Sequence, residues 1–189
     1  MNTALKPIAA LLEKNSEVKS LSFRNMGLGS MPIDLSRFPN LEHIDLSGNQ
    51  FVVLPEQLAQ LRKLKSINLS ANFRLNWSKS LLVLLDCRKL ESLNISYNGL
   101  KELPAELLHF DQLKKISLDG NKFNVFSDRN LMNMPERIEQ IKACDCPMED
   151  FSTRIRNMKS LKRVVVDSYS YEQLVNLHWR NPEVEVILL

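Results

Sequence analysis

Seven times between Val18 and Tyr171 the chain returns to one pattern of apolar residues, and in four of those returns an asparagine holds the same place. Written as L-x-x-L-x-L-x-x-N-x-L, the pattern is met in full by Leu41-Ile44-Leu46-Asn49-Phe51, Leu90-Leu93-Ile95-Asn98-Leu100 and Leu113-Ile116-Leu118-Asn121-Phe123. Leu64-Ile67-Leu69-Asn72 meets its first four places, and the fifth apolar residue, Leu75, arrives one place late. Weaker copies start at Val18, Ile138 and Leu161, with Met26, Cys146 and Tyr169 at the asparagine place. The first positions fall at 18, 41, 64, 90, 113, 138 and 161, in steps of 23, 23, 26, 23, 25 and 23. One more regular step reaches Val184, where Val184-Ile187-Leu189 starts an eighth copy. A period this regular restricts the chain to architectures that stack one small unit on the next.

The template has its own physical reading. Its x-x-L-x-L-x-x stretch has period two, so two apolar residues point inward from a short strand and the x residues point out. A second half-repeat, Leu54-Pro55-x-x-Leu58-x-x-Leu61, is matched by Met31-Pro32…Leu35…Phe38 and Leu103-Pro104…Leu107…Phe110, and without proline by Phe151…Ile155…Met158. Its spacing is helical, and proline suits a first helical turn because its missing N–H costs nothing there. One strand and one helical turn cannot bury an apolar face alone, whereas stacked copies can, through parallel strands about 4.8 Å apart. The ninth-position asparagines, Asn49, Asn72, Asn98 and Asn121, are then expected as a buried ladder satisfying backbone groups of their own and neighbouring turns. Cys146 stands in for the fifth, while Met26 and Tyr169 cannot fill the role in the same way, so both ladder ends are expected to be looser.

These motifs resemble the leucine-rich-repeat family, in its 23-residue L-P-x-x-L-x-x-L-x-x class, over residues 18–189. The resemblance implies an α/β solenoid, a right-handed superhelix with a concave parallel sheet of about eight short strands and short helices or turns on the convex side. It also implies that the concave face is the binding surface, that Cys146 is an accepted substitute for the ladder asparagine, and that catalytic activity in the family resides in additional domains.

Composition agrees with one folded domain over residues 1–189. Leucine and asparagine are both in excess, while 44% of the chain is hydrophobic and 25% charged, which excludes disorder as the general description. No apolar run is longer than five residues, as in Leu81 to Leu85, which is too short to span a bilayer, so no membrane partner is expected. The net charge of +3 arises from interleaved acids and bases without a polybasic arm, so no nucleic-acid partner is expected. The pairs Lys114–Lys115 and Lys162–Arg163 read as solvated surface before they read as phosphate sites. Three cysteines, Cys87, Cys144 and Cys146, make an odd number for a disulfide framework and suit a reducing compartment. With no secretory leader pattern at the N-terminus, the expectation is cytoplasmic.

The domain divides into residues 1–17 as an N-terminal capping helix, 18–183 as seven repeats and 184–189 as an incomplete eighth strand. Residues 3–14 place Leu5, Ile8, Leu11 and Leu12 on one face, suited to covering the first repeat's core; a partner-binding amphipathic helix is the alternative. At the other end, the repeat register turns Val186 and Leu188 outward beside Val165, an apolar edge suited to pairing with a second copy of the chain.

Functional residues are sought on the third, fifth and seventh template positions and in the loops beyond the strands. The expected partner-binding set is His43, Asp45, Ser47, Asn68, Ser70, Asn94, Ser96, Lys115, Ser117, Asp119 and Lys142, with Phe73 and Tyr97 as loop anchors and Trp77 in the long repeat as a further aromatic. This face is rich in serine and asparagine and poor in hot-spot residues; the alternative is that these residues merely keep a crowded sheet soluble. The function expected is non-enzymatic binding of a protein or peptide through concave face and loops, with self-association through the C-terminal edge as the other reading. No cofactor or metal is expected. His43, Asp45 and Ser47 share one strand face, but residues two apart along a strand stand roughly 7 Å apart, too far for a Ser–His–Asp relay. Cys144 and Cys146, with Cys87 or His178, match no common zinc spacing.

Overall fold

The computed structural model describes residues 17–123, 133–146, 158–172 and 182–189. Eight strands, β1 (Ser20–Ser22), β2 (His43–Asp45), β3 (Ser66–Asn68), β4 (Ser92–Asn94), β5 (Lys115–Ser117), β6 (Gln140–Lys142), β7 (Arg163–Val166) and β8 (Glu185–Leu188), form one parallel sheet in chain order. From β1 to β7 equivalent template positions pair, so Leu21, Ile44, Ile67, Leu93, Ile116, Ile141 and Val164 make a single inward row. That row and the next inward one, Phe23, Leu46, Leu69, Ile95, Leu118, Ala143 and Val166, are buried in one continuous core.

Among the described residues the opposite wall includes tight 3-10 turns at Leu35–Arg37, Glu56–Gln60 and Ala105–His109 and the α-helix Trp77–Leu84, and residues 168–172 are helical as well. Pro55 and Pro104 stand just before their turns as capping residues, with extended ψ of 136° and 135°; the fixed proline φ suits that place and no N–H is wanted there. The α-helix belongs to the longest repeat. An α-helix rises about 1.5 Å per residue against about 2.0 Å for a 3-10 turn, so it packs more residues into the same length. Asn76 caps it by accepting the Lys79 amide at 3.0 Å. Asn76 N–H also donates to Val52 O. Counted from its neighbours, this repeat has one extra residue before Leu75 and two more in the helical segment after it. Leu75 drops into the core and Phe73 is pushed out to 72% exposure.

The asparagine ladder runs through the buried turn at each strand's end. Asn98 Nδ2 donates to Leu69, Ile95 and Ser96 carbonyls, and its Oδ1 accepts the Asn72 amide at 2.6 Å. Asn49 and Asn121 each accept two amides of the preceding turn, Met26 and Leu28 in one case and Asn98 and Leu100 in the other. The Cys146 thiol is raised by burial, with the nearby Asn121 backbone amide acting in the opposite sense. At the ladder's far end the role passes by one residue. Tyr169 is exposed, and the fully buried Ser170 donates its hydroxyl to Cys146 O at 3.1 Å.

The eighth strand corrects the sequence register. Arg163 pairs with Glu185, Val164 with Val186 and Val166 with Leu188, so the last step is one residue shorter than the regular period. Val186 and Leu188 thus extend the inward rows, and Ile187, beside Val165, takes the outward phase. Val165 itself is buried at 7% exposure, so it offers no accessible edge. A one-residue slip exchanges the two faces of a strand, and Val184-Glu185-Val186-Ile187-Leu188-Leu189 is apolar enough in either phase to permit it. The predicted capping helix over 1–17 lies, except for Glu17, outside the described residues, as do His178 and the helical half-repeat at Phe151 and Ile155.

Candidate partner-binding surface

On β2, β3 and β4 the fifth template position carries Asp45, Asn68 and Asn94. Each turns its Oδ1 back onto the amide two residues later, accepting from Ser47, Ser70 and Ser96 at 2.8, 3.0 and 2.9 Å. These local turns satisfy the amides where the strands end. They also fix the side chains, leaving the Asn68 and Asn94 amide NH2 groups as oriented donors on neighbouring strands. Around them a shallow trough of about 450 Å3 crosses β1 to β5, lined by Ser20, Ser22, His43, Ser66, Ser92 and Ser117 among others. His43 Nδ1 lies 2.8 Å from Ser66 Oγ on the adjacent strand, linking two of its walls.

Three predicted contact residues are not on the accessible surface. Ser47, Ser96 and Asp119, all at the seventh position, are buried, because the strand has ended there and the turn folds over them. Asp119 acts between turns: its Oδ1 accepts the Cys144 amide at 2.8 Å and its Oδ2 pairs with Lys142 Nζ at 2.9 Å. The Asp119 hydrogen bond holds the Lys142 ammonium above its ordinary value, so Lys142 is committed to a structural pair. Asp45, Asn68, Asn94 and Ser117 are half-buried with one face to the trough, while His43 and Lys115 are exposed.

The eighth position governs the loops. Asn25, Gly48, Ala71, Tyr97, Gly120 and Asp145 all adopt left-handed backbone, with φ between 50° and 66°. Tyr97 is an unusual occupant of that region. Its ring lies over the next turn, where a Cβ on Gly120 would come within 2.2 Å of Tyr97 Cδ1. Tyr97 is 55% exposed and Tyr169, two turns beyond Gly120, is 61% exposed. With Phe73 they are the exposed Phe, Trp or Tyr side chains among the described residues, Tyr169 standing at the start of a helical stretch. Trp77 is different: it is partly buried against the core at the start of the helix.

One regularity escapes a search guided by leucines. The second template position reads Lys19, Glu42, Lys65, Glu91, Lys114, Glu139 and Lys162, alternating in sign through seven turns. Glu42 bridges Lys19 at 3.7 Å and makes a close ion pair with Lys65, Glu91 pairs with Lys114 at 3.1 Å, and Glu139 with Lys162 at 2.9 Å. Hydrogen bonds from Lys65 and Lys162 lower the Glu42 and Glu139 carboxyls below their usual range, and the Glu42 hydrogen bond raises Lys65. Lys114 and Lys162, read from sequence as parts of basic pairs, are rungs of this ladder. Its signal was an alternation of charge at a period of two repeats.

The family model described as Leucine Rich Repeat matches residues 40–61 and 89–110. Leucine-rich repeat serine/threonine-protein kinase 1 of Mus musculus is 30% identical over 118 residues, which cover 59% of this chain and 6% of the kinase. Toll-like receptor 2 of Ovis aries is 30% identical over 149 residues, which cover 68% of this chain and 18% of the receptor. The chain thus spans under a fifth of the length of these relatives. An internalin from Listeria monocytogenes superposes with a TM-score of 0.63 at 17% identity, covering 93% of this chain and 48% of that one. A chain of the Drosophila Toll–Spatzle complex gives 0.65 at 17% identity, covering 96% and 31%. These structures share the fold: a sheet of parallel strands, one per turn, backed by short helices and turns. By its repeat, its asparagine ladder and these likenesses, the chain is a leucine-rich-repeat protein.

Proposed function

We propose that the chain is a non-enzymatic interaction module that binds a protein or peptide through its concave strand face and the loops that follow it. The observation that carries this reading is the pair of locked amides, Asn68 and Asn94, in an open trough across five strands. Donors already held in place lose little freedom when a partner's carbonyls or carboxylates meet them, so modest contacts give useful affinity. His43, Asp45, Ser66, Ser117 and Lys115 complete the surface, and Ser70 lies at its margin. Binding partners would be compared by affinity capture on wild type and on an Asn68→Arg, Asn94→Arg variant of unchanged circular dichroism. Partners are expected to be lost from the variant; a full set retained would remove the strand face from consideration.

A second reading has its own observation. β8 has a neighbouring strand on one side only among the described residues, and Leu188 and Leu189 beside that edge are 52% and 68% exposed. Self-association through it predicts a dimer by sedimentation that Leu188→Glu converts to a monomer, and a wild-type monomer rejects it. Three free cysteines, two of them buried, fit a reducing compartment. No helix among the described residues is long and apolar enough to cross a membrane.

A further inference from the structure

Gly120, Asn121, Lys122, Phe123, Asp145 and Tyr169 line a recess of about 510 Å3 beside the loops of turns 5 to 7. Its shape follows from the left-handed eighth position. Gly120 has no side chain to fill the space, so the Tyr97 ring of the turn before lies over it, and Tyr169 lines the recess from two turns beyond. Two exposed phenol rings therefore flank a depression whose Phe123 wall is apolar.

The charges around it are unequally employed. Asp119 is held by Lys142 and the Cys144 amide. Asp167 accepts the Asp145 and Ser170 amides at 2.6 and 2.9 Å; burial raises its carboxyl, but these hydrogen bonds prevail and leave it below the usual range. Asp145 is the exception. Its amide is pinned to Asp167 and its side chain is exposed, yet its carboxylate makes no hydrogen bond or ion pair among the described residues. Lys122 also lines the recess and does not pair with it.

A free carboxylate beside aromatic faces selects a cation, because the ring quadrupole attracts positive charge and repels negative. A guanidinium suits it better than an ammonium: it is planar, less strongly hydrated, stacks on a ring and pairs with a carboxylate through two parallel bonds. We infer that this recess receives an arginine side chain of a protein partner, paired with Asp145 and stacked on Tyr169 beside Tyr97. This deepens the loop half of the proposed function, and rests on it, by naming what the partner presents there. Lys122 acts against the same cation and sets a limit on affinity.

The test is titration of the isotope-labelled full chain with N-acetylarginine methylamide, followed by amide chemical shifts. Saturable, millimolar binding is expected at Gly120, Asp145 and Tyr169, with weaker binding of the lysine analogue and none of the glutamate analogue. Asp145→Asn, which keeps a residue at ease with left-handed backbone, and Tyr169→Ala are each expected to weaken binding about fivefold; Lys122→Met is expected to strengthen it. Absence of saturable shifts at these amides, equal response to the glutamate analogue, or indifference to Asp145→Asn and Lys122→Met would overturn the inference. The Asn68→Arg, Asn94→Arg variant should bind the probe like wild type. Arginine shifts that map instead to Asp45 on the strand face would reject the recess while leaving the strand face as a binding surface.

Discussion

The backbone amide of Asn72 donates to the side-chain oxygen of Asn98, one turn away and 2.6 Å distant, so one turn's strand end is closed by the next turn's side chain. Asn72 has no matching arrangement of its own: its buried Oδ1 makes no hydrogen bond among the described residues, although its Nδ2 donates to Leu46, Leu69 and Ser70 carbonyls. Turn 3, where Leu75 arrives one residue late and the repeat is the longest, is where the ladder's regularity breaks.

The ladder asparagines should therefore differ in worth. Asn98→Ala removes an acceptor and a donor to three carbonyls, leaving buried groups unpaired, and is expected to cost about 2–4 kcal/mol in urea unfolding. Asn72→Ala loses only the donor half and should cost less. Equal losses would mean that the two oxygens are equally employed in solution.

Lys65 sits between Glu42 and Glu91 in the alternating ladder. Lys65→Glu places three carboxylates in a row and is expected to lower the melting temperature, by less at about 1 M salt, where charges farther apart than roughly 3 Å are screened. The pH dependence has a definite sign. Glu42 and Glu139 have lowered folded values, so their contribution is present at neutral pH and lost as pH falls through those values. Lys65 has a raised value, so its contribution is lost only as pH rises through the upper lysine range. A melting temperature that responds to Lys65→Glu equally at low and high salt would show that the ladder acts through packing instead of charge.

The cysteines give a third expectation. Burial pushes the Cys87 and Cys146 thiols up to about 12, and burial also raises the half-exposed Cys144 by a smaller amount. At neutral pH all three are thiols, and alkylation by iodoacetamide should be slow, with Cys144 modified first and the other two only on unfolding. Because the folded values of Cys87 and Cys146 lie above the ordinary 9.0, stability should fall as pH rises from there towards 12. Rapid native labelling of Cys146 would contradict its place as the fifth rung.

What could be read from the residues themselves was whatever recurs. Two inward positions per strand, the asparagine ladder with Cys146 as its fifth member, and the polar character of the strand face all follow from burial repeated once per turn, since each turn must hide the same atoms as its neighbours. Lys19 to Lys162 also recur, but at two-repeat spacing among positions outside the core, where no burial pattern marks them.

Where neighbouring turns meet unequally, only the tertiary structure decided. Ser47, Ser96 and Asp119 have the outward parity of their strands and are buried all the same, because parity ends where the strand ends and the turn closes over the seventh position. The same limit hides the Tyr97 contact with Gly120, which depends on a ring reaching across a whole turn. The last strand shows it most plainly. Val184 to Leu189 is apolar in both phases, so alternation alone could not choose a register; pairing with β7 chose it, setting Glu185 beside Arg163 at 2.8 Å and turning Val186 and Leu188 inward.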